Sequence, residues 1–249
     1  MIICKGRAEL NTMREANLIV ARVLNELGGL VKPDITTGEL DRRACELIVK
    51  AGAQPGFKGY RGYPANICTS VNDQVIHGIP NGRRLQEGDI ISIDVGVLYR
   101  GYYGDAAWTF PVGEVSPEAQ KLLQVTREAL YKGIEKAVIG GRVSDISAAV
   151  QRHVEAHGFS VVRDFVGHGV GTALHEEPQV PNYGKPGRGP KLQAGMVLAI
   201  EPMVNSRGPG VRVLEDRWTA VTIDGGLSAH FEHSVAITEN GPWILSALD

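Results

Sequence analysis

The sequence predicts an α+β protein in which two similar halves follow one another along the chain. Each half contains two amphipathic helical segments followed by short strand-like segments, and the order is the same both times. The glycine- and proline-rich stretch 181–190 has candidate metal ligands on both sides, so we interpret it as a loop and not as a domain linker. We therefore expect residues 1–249 to form a single domain.

The first helix is expected over residues 12–27. Thr12 and Glu15 match a capping box, in which each side chain accepts a hydrogen bond from the backbone amide of the other residue. Apolar residues recur after them at helical spacing, and the pair Gly28-Gly29 predicts the end of the helix.

Three further helices are predicted from signals of the same kind. One follows Thr36, with Glu39 as its capping partner. Another follows Ser116, with a proline in its first turn, and its apolar stripe continues to the glycine pair 140–141. The last helix is expected to start at Ser144.

Short apolar or alternating segments predict the strands that follow each helix pair. The segment between Val97 and Tyr103 predicts the turn of a hairpin. The predicted strands cover residues 67–71, 90–97, 103–110, 161–166, 197–204, 217–223 and 230–237.

The composition is that of an ordinary globular protein, with 43% hydrophobic and 22% charged residues. A net charge of -2 gives no reason to expect a nucleic-acid or acidic-membrane partner. The sequence has no apolar run long enough for a membrane span and no signal-peptide core. Three widely spaced cysteines without a CxxC motif predict reduced thiols, so we expect a cytoplasmic protein.

Five side chains that can bind a metal lie on or beside short apolar strand-like segments: Asp94, Asp105, His168, Glu201 and Glu232. One buried aspartate would more simply be structural, but five such groups predict one cation or a pair of cations, because an unpaired buried charge is very unfavourable. Four carboxylates and one imidazole suit Mn, Fe, Co or Zn better than a thiolate site would.

The expected strands bring these side chains together. Asp94 and Asp105 lie on the two arms of the predicted hairpin, and neighbouring strands are about 5 Å apart, so the two carboxylates can share a cation. Glu201 ends a predicted strand just before Pro202, which cannot donate a hydrogen bond within a sheet. Glu232 is expected inside an alternating strand.

Six motifs in a fixed order carry a resemblance to a known family: HGIP at His77–Pro80, SIDVG at Ser92–Gly96, GDAAWTF at Gly104–Phe110, GHGVG at Gly167–Gly171, HEEPQV at His175–Val180 and AIEPM at Ala199–Met203. Together they resemble the type I methionine aminopeptidases over nearly the whole chain, from about residue 12 to residue 237. The resemblance implies the pita-bread fold, in which two pseudo-symmetric halves surround a dinuclear metal site. It also implies that the single domain is catalytic.

The resemblance assigns a role to each of the five candidate ligands. Asp94 is expected to chelate one metal, Asp105 and Glu232 to bridge both, and His168 and Glu201 to complete the other. The implied cofactors are two divalent ions, and Co, Mn, Fe and Zn all accept this ligand set. Glu201 is also expected to act as the catalytic base that takes a proton from water and passes it to the leaving amine.

Two histidines and an apolar pocket complete the site that the resemblance implies. His175 is expected to donate a hydrogen bond to the scissile carbonyl oxygen and the developing oxyanion, and His77 to contact the scissile amide nitrogen. Leu174 departs from the aromatic residue that some relatives carry at that position. The pocket for the methionine side chain is expected to be lined by Tyr60, Tyr63, Cys68, Leu174 and Trp218.

The implied function is removal of the initiator methionine from nascent polypeptides, with a preference for a small second residue. The expected partners are the amino termini of nascent polypeptides, and a compact monomer also suits work at the ribosome exit. No membrane partner and no nucleic-acid site are predicted.

Three alternatives remain beside this interpretation. A proline-specific aminopeptidase or dipeptidase of the same fold usually carries an additional amino-terminal domain, for which this chain lacks room. A binding module on a degenerate scaffold typically loses metal ligands, and all five are present here. The GHGVG motif could indicate a phosphate loop, but it lacks the full spacing and the following helix pattern.

Overall fold

Two pairs of helices, each lying on antiparallel strands, make up this protein in a computed structural model that describes residues 1–248. None of the helices in that range is both long and apolar enough to cross a membrane. A single 3₁₀ turn lies at Tyr60–Gly62. The helices are α1 (Arg7–Leu30), α2 (Thr37–Lys50), α3 (Pro117–Ile134) and α4 (Val143–Ala156).

The strands are short, except for one long hairpin in the first half. In chain order they are β1 (Gln54–Pro55), β2 (Cys68–Val71), β3 (Gln74–Ile76), β4 (Ile90–Tyr99), β5 (Tyr102–Pro111), β6 (Ser160–Val161), β7 (Val166–Gly169), β8 (Glu176–Pro181), β9 (Val197–Ile200), β10 (Met203–Asn205), β11 (Val211–Val213), β12 (Ala220–Thr222), β13 (Ser228–His230), β14 (His233–Thr238) and β15 (Gly241–Ile244).

Antiparallel pairing joins these strands into four sheets. The hairpin of β4 and β5 forms the centre of the first sheet, and β1 and β2 pair with successive parts of the other edge of β4. The second half contains a five-stranded sheet in the order β15-β14-β9-β7-β8. Two three-stranded sheets, β13-β10-β6 and β11-β12-β3, complete the arrangement.

Each helix pair has its own hydrophobic core. In the first half, Leu27, Leu40 and Ile48 are fully buried in one cluster with Ile91 and Ile93 of β4. Side chains of this size each stabilise the fold by roughly 1.5–3 kcal/mol when they leave water. The helix spacing of the apolar residues therefore fixes which face of α1 and α2 meets the hairpin.

The second half repeats this packing with different residues. Leu122 and Leu130 of α3 and Ile146 of α4 are buried in one cluster with Leu198 and Ile200 of β9. The predicted order of two helices and then strands, occurring twice, is confirmed.

The start of the first helix differs from the prediction. The chain becomes helical before residue 12, because Gly6 donates its backbone N–H to the Glu9 carboxylate at 2.7 Å and Leu10 is buried. Thr12 lies inside the helix and donates its hydroxyl to a carbonyl one turn earlier. Thr12 and Glu15 therefore do not form the predicted capping box. The helix begins more than one turn earlier, because this buries one more apolar turn.

The predicted end of the first helix is also shifted. Helix α1 continues through Gly28 and Gly29 to Leu30. Gly28 lies against the ring of Phe110, where a Cβ atom would come within 2.4 Å of the ring. This glycine serves close packing against β5 and does not terminate the helix.

Two other predicted helix starts are confirmed. The Thr36 hydroxyl accepts the Glu39 backbone N–H at 3.1 Å, and the Glu39 carboxylate accepts the Thr36 N–H at 2.7 Å. The Ser116 hydroxyl accepts the Ala119 N–H at 3.2 Å, and Pro117 occupies the first turn of α3.

The remaining ends in the second half differ slightly. Helix α3 stops at Ile134, so the stretch up to the glycine pair 140–141 forms turns and not helix. Helix α4 begins one residue before Ser144, because the Asp145 carboxylate accepts the backbone N–H of Arg142 at 2.7 Å.

Several predicted strands are shorter or interrupted. Glu201 and Pro202 lie between β9 and β10, and Phe231 and Glu232 lie between β13 and β14, so the prediction that Glu232 sits inside a regular strand is wrong. The missing N–H of Pro202 explains the first break. The segment 161–166 likewise gives two separate strands. Strands β1, β3, β8, β11 and β15 were not predicted, because they are short or contain proline.

Helix α1 approaches β5 closely at Gly104. A Cβ atom there would lie 2.8 Å from the backbone of Ala16 and Asn17. The buried Asn17 donates its amide to the Met13 carbonyl at 2.9 Å and accepts the backbone N–H of Asp105 at 3.2 Å. The absence of a side chain at Gly104 thus lets α1 hold the strand position that carries Asp105.

Gly104→Ala is expected to lower the free energy of unfolding by about 1–3 kcal/mol, because the added methyl group overpacks a backbone contact. The matched control is Gly29→Ala, where no atom lies within 4 Å of the added Cβ. That helical change is expected to stabilise by roughly 0.5–1 kcal/mol. Urea unfolding in EDTA measures both, and equal stability of the two variants would contradict the packing account.

Candidate metal centre and active site

All five predicted metal ligands line one cavity of about 260 Å³. Two of them come from the hairpin of the first half. Asp94 lies opposite Ala107 in the β4–β5 register, and Asp105 is two residues from Ala107 along β5. Because side chains alternate along a strand, Asp94 and Asp105 share the face that meets the cavity.

The other three ligands come from adjacent strands of the second half. His168 lies in β7, which pairs with β9. Glu201 follows β9 directly and Glu232 precedes β14 directly, and these antiparallel strands place Ile200 opposite His233. The two glutamates therefore meet where both strands are interrupted.

The imidazole of His168 is oriented toward the carboxylates. Its Nε2 lies 3.7 Å from Oδ2 of Asp105 and 3.5 Å from Oε1 of Glu201. Its Nδ1 lies 2.8 Å from the carbonyl oxygen of Gly169, and a proton donated there leaves a lone pair on Nε2. Single donor atoms of Asp105, His168 and Glu232 also lie within 4.8 Å of one another.

Burial shifts the protonation of the site strongly. It raises the pKa of Asp94 to about 7, with Glu201 adding to the rise and His230 opposing it. Burial also raises the pKa of Asp105, Glu201 and Glu232 well above the ordinary range. Such shifts mean that the charged forms lack compensation from the protein itself.

The residues fit a divalent metal centre. Within residues 1–248, Oδ1 of Asp94, Oδ1 of Asp105 and Oε1 of Glu232 are buried without a hydrogen-bond partner. These oxygens line the same cavity as the free Nε2 of His168. A cation would supply the missing partner, and this mixture of oxygen and nitrogen donors suits borderline transition metals.

His175 lies beside this centre and contacts an aromatic ring of the first half. Its Nδ1 is 2.9 Å from the hydroxyl of Tyr60, and the two rings stack with centroids 5.3 Å apart. The ring of His168 is 4.1 Å away. Burial lowers the pKa of His175, which favours the neutral imidazole.

A buried ion pair holds the segment that carries His175. Lys5 and Glu176 form this pair, and only 3% and 6% of their side chains are exposed. The Glu176 carboxylate also accepts the backbone N–H of Ala173 at 3.3 Å. The amino-terminal segment is thereby tied to the loop that presents Leu174 and His175.

His77 lines the same cavity and has an uncommon backbone conformation. Its φ of 59° lies in the left-handed region, which only a few per cent of non-glycine residues adopt. Its ring makes edge contacts with Phe165 at 5.8 Å and Trp218 at 6.2 Å. Burial lowers the pKa of His77 to about 4, so the ring is neutral near neutral pH.

The five predicted pocket residues line the same cavity: Tyr60, Tyr63, Cys68, Leu174 and Trp218. The rings of Tyr63 and Trp218 meet edge to face at 5.1 Å. The hydroxyl of Tyr63 lies 3.0 Å from the carbonyl oxygens of both Ile67 and Gly78. Burial raises the pKa of the Cys68 thiol, so Cys68 stays neutral.

Several lining residues were not predicted from the sequence: Phe57, Arg61, Ile76, Asp164, Phe165 and Val166. Phe165 and Val166 directly precede the GHGVG motif, and that proximity was a usable signal. His230 was also missed, although it lies two residues before Glu232. It is buried, and its Nε2 lies 3.5 Å from Oε2 of Glu201.

Comparison with known proteins assigns the family. The model of metallopeptidase family M24 matches residues 11–239. A methionine aminopeptidase of Clostridium perfringens is 58% identical over 248 residues, covering 100% of both chains. Methionine aminopeptidase 1 of Bacillus subtilis is 56% identical over 246 residues, covering 99% of both.

Solved structures agree with this assignment and with the fold. The methionine aminopeptidase of Thermotoga maritima has a TM-score of 0.98 and 48% identity, and the match covers 100% of both chains. The prolidase of Pyrococcus furiosus has a TM-score of 0.80 at 23% identity, with 99% of this chain and 66% of that chain covered, so its likeness concerns the fold alone. The pita-bread fold is confirmed, and the chain belongs to metallopeptidase family M24, among that family's methionine aminopeptidases.

Proposed function

We propose that this enzyme removes the initiator methionine from nascent polypeptides and prefers a small second residue. One observation carries the proposal: an apolar, aromatic pocket shares its cavity with Asp94, Asp105 and Glu232, each of which has one buried oxygen without a hydrogen-bond partner among residues 1–248. The names of full-length relatives at 56–58% identity support the same activity. We further propose that residues 1–249 act as one catalytic domain, as a cytoplasmic monomer that meets its substrates at the ribosome exit.

Two divalent ions would be held by the five ligands, with Asp105 and Glu232 shared between them. Co, Mn, Fe and Zn all suit this donor set. When bound, the ions supply an activated water and polarise the scissile carbonyl. Glu201 accepts a proton and returns it to the leaving amine, and its Oε1 lies 3.5 Å from Nε2 of His168 within the group of candidate ligands.

The two histidines bind the scissile peptide bond. When the Tyr60 hydroxyl donates a hydrogen bond to Nδ1 of His175, the single N–H of the neutral ring is on Nε2. This N–H can donate a hydrogen bond to the scissile carbonyl oxygen. His77 is neutral and held by aromatic edges, so it can hydrogen-bond the amide nitrogen.

The pocket explains the selection of methionine. An unbranched thioether fits an aromatic wall, with which sulfur makes favourable contacts. The cavity volume of about 260 Å³ is near the lower limit of ordinary ligand sites, so the cavity as a whole suits a small substrate segment. This supports a small second residue. A proline-specific activity has the weaker support, because the prolidase likeness is limited to the fold.

A peptide panel tests the proposed specificity. Met-Ala-Ser and norleucine-Ala-Ser are expected to be cleaved efficiently, because norleucine keeps the unbranched length. Leu-Ala-Ser is expected to lose roughly 10–200-fold in kcat/KM, since its branch lies too close to the backbone for the pocket. Kinetics with each metal added to stripped enzyme measure this. Equal cleavage of all three peptides, or a preference for Ala-Pro and Gly-Pro, would sink the proposal.

His175→Ala is expected to reduce kcat by about 10²–10³-fold, the usual effect of losing one oxyanion donor. Metal content should be unchanged, because His175 is not among the proposed ligands. Tyr60→Phe keeps the ring stacking and removes only the hydroxyl, so its kcat should fall less. Steady-state kinetics together with elemental analysis separate the cases. A variant that loses metal but keeps its turnover when metal is restored would make His175 a ligand instead.

A further inference from the structure

A second cluster of metal-binding side chains lies on the helices of the second half. His153 and His157 are four residues apart at the end of α4, so both rings lie on one face. Their ring centroids are 4.6 Å apart. Glu128 belongs to α3, and its carboxylate meets this face. None of these three residues lines the active-site cavity.

The donor atoms are already close to metal-binding distances. Nε2 of His153 lies 3.0 Å from Oε2 of Glu128, and single donor atoms of all three side chains lie within 4.8 Å of one another. Donors that bind one zinc ion at about 2.0–2.2 Å are themselves roughly 3–3.5 Å apart in a tetrahedral shell. The first pair matches this separation, and a small shift of the His157 side chain that keeps its Nδ1 hydrogen bond can bring in the third donor.

Neighbouring hydrogen bonds leave the required lone pairs accessible. Nδ1 of His157 lies 2.7 Å from the carbonyl oxygen of His153, and a proton donated there leaves Nε2 free for a cation. Gln124 donates to Oε1 of Glu128 at 2.8 Å, so Oε2 is the oxygen that faces His153. The ammonium of Lys121 donates to the His157 carbonyl oxygen at 3.2 Å. The Lys121 side chain is therefore held by a hydrogen bond to the backbone.

The donor set indicates the class of metal. Two imidazoles and one carboxylate favour zinc, nickel or copper over magnesium and calcium, which prefer oxygen ligands. Three protein ligands leave a position for water, as in open zinc sites. We infer that Glu128, His153 and His157 form a surface site for a divalent ion of the zinc class, which cross-links α3 to α4. This site is separate from the proposed catalytic centre and does not depend on the proposed activity.

Zinc uptake by the full chain tests the inference. Wild type, the double variant His153→Ala/His157→Ala and the control Glu135→Gln are dialysed against one zinc buffer, and zinc per chain is determined by elemental analysis. Glu135 is a suitable control because it follows α3 and pairs with Lys132 at the surface. The double variant is expected to bind about one ion fewer than wild type and control. Because the catalytic ligands are the same in all three proteins, the difference reports the surface site alone.

Peptidase activity with saturating metal and the unfolding midpoint in EDTA should be nearly the same in all three proteins, which shows that the double variant is folded. An immobilised nickel column gives a second measurement, since a column surface cannot enter the buried catalytic cavity. Untagged wild type and Glu135→Gln should be retained, and the double variant should elute earlier. Equal zinc content, or equal retention on nickel, would overturn the inference and leave His153 and Glu128 as a simple ion pair.

Discussion

Four carboxylates and an imidazole placed in one cavity are the constraint on which the rest of this structure depends. Burial removes the water that would solvate these charges, and the neighbouring carboxylates repel one another, so the pKa of Asp105 and Glu232 rises well above the ordinary range. Apolar residues of the same volume at these positions would give a more stable fold than unpaired buried charges. Cations bound by these residues would remove this conflict, and because each half supplies candidate ligands, they would also join the two halves.

Two of the candidate ligands line the cavity at points where a strand is interrupted. Glu201 lies where Pro202 ends the β9 ladder, and Glu232 lies in the gap before β14. Asp105 sits in a continuous strand, but its backbone N–H is held by Asn17 of α1. Its carbonyl oxygen accepts the hydroxyl of Ser234 at 2.8 Å, which joins the first half to the second. Hydrogen bonds from Asn17 and Ser234 to the Asp105 backbone thus fix the position of this candidate ligand without a metal.

The sequence identified the five candidate ligands that line one cavity, but it predicted the strands around them less well. Asp94 and Asp105 could be placed on facing arms because the period-two alternation of a hairpin is a local signal. The interruption of the strand at Glu232 could not be predicted, because it depends on a contact that is distant in sequence. The backbone N–H of Glu232 donates a hydrogen bond to the carbonyl oxygen of Ala107 and not to a neighbouring strand of its own sheet. His230 gave no signal of its own, since a histidine among apolar residues is typical of any core. Its position follows from the pairing of β10 with β13.

The free energy of unfolding between about pH 6.5 and pH 8, with EDTA and with saturating divalent metal, tests the central claim most directly. Without metal, the pKa of Asp94 is about 7 in the folded chain against an ordinary 3.8, so the folded state binds more protons and loses stability as the pH rises through about 7. The slope is at most ~1.4 kcal/mol per pH unit for each proton. Five histidines whose pKa is lowered in the folded chain act in the opposite direction, and their effect fades as the pH rises above their ordinary value of 6.5: His77, His168, His175, His230 and His233. Metal binds the deprotonated carboxylates, so the loaded protein should be more stable and should not lose stability over this range. Equal slopes with and without metal would contradict the claim that cations neutralise this site.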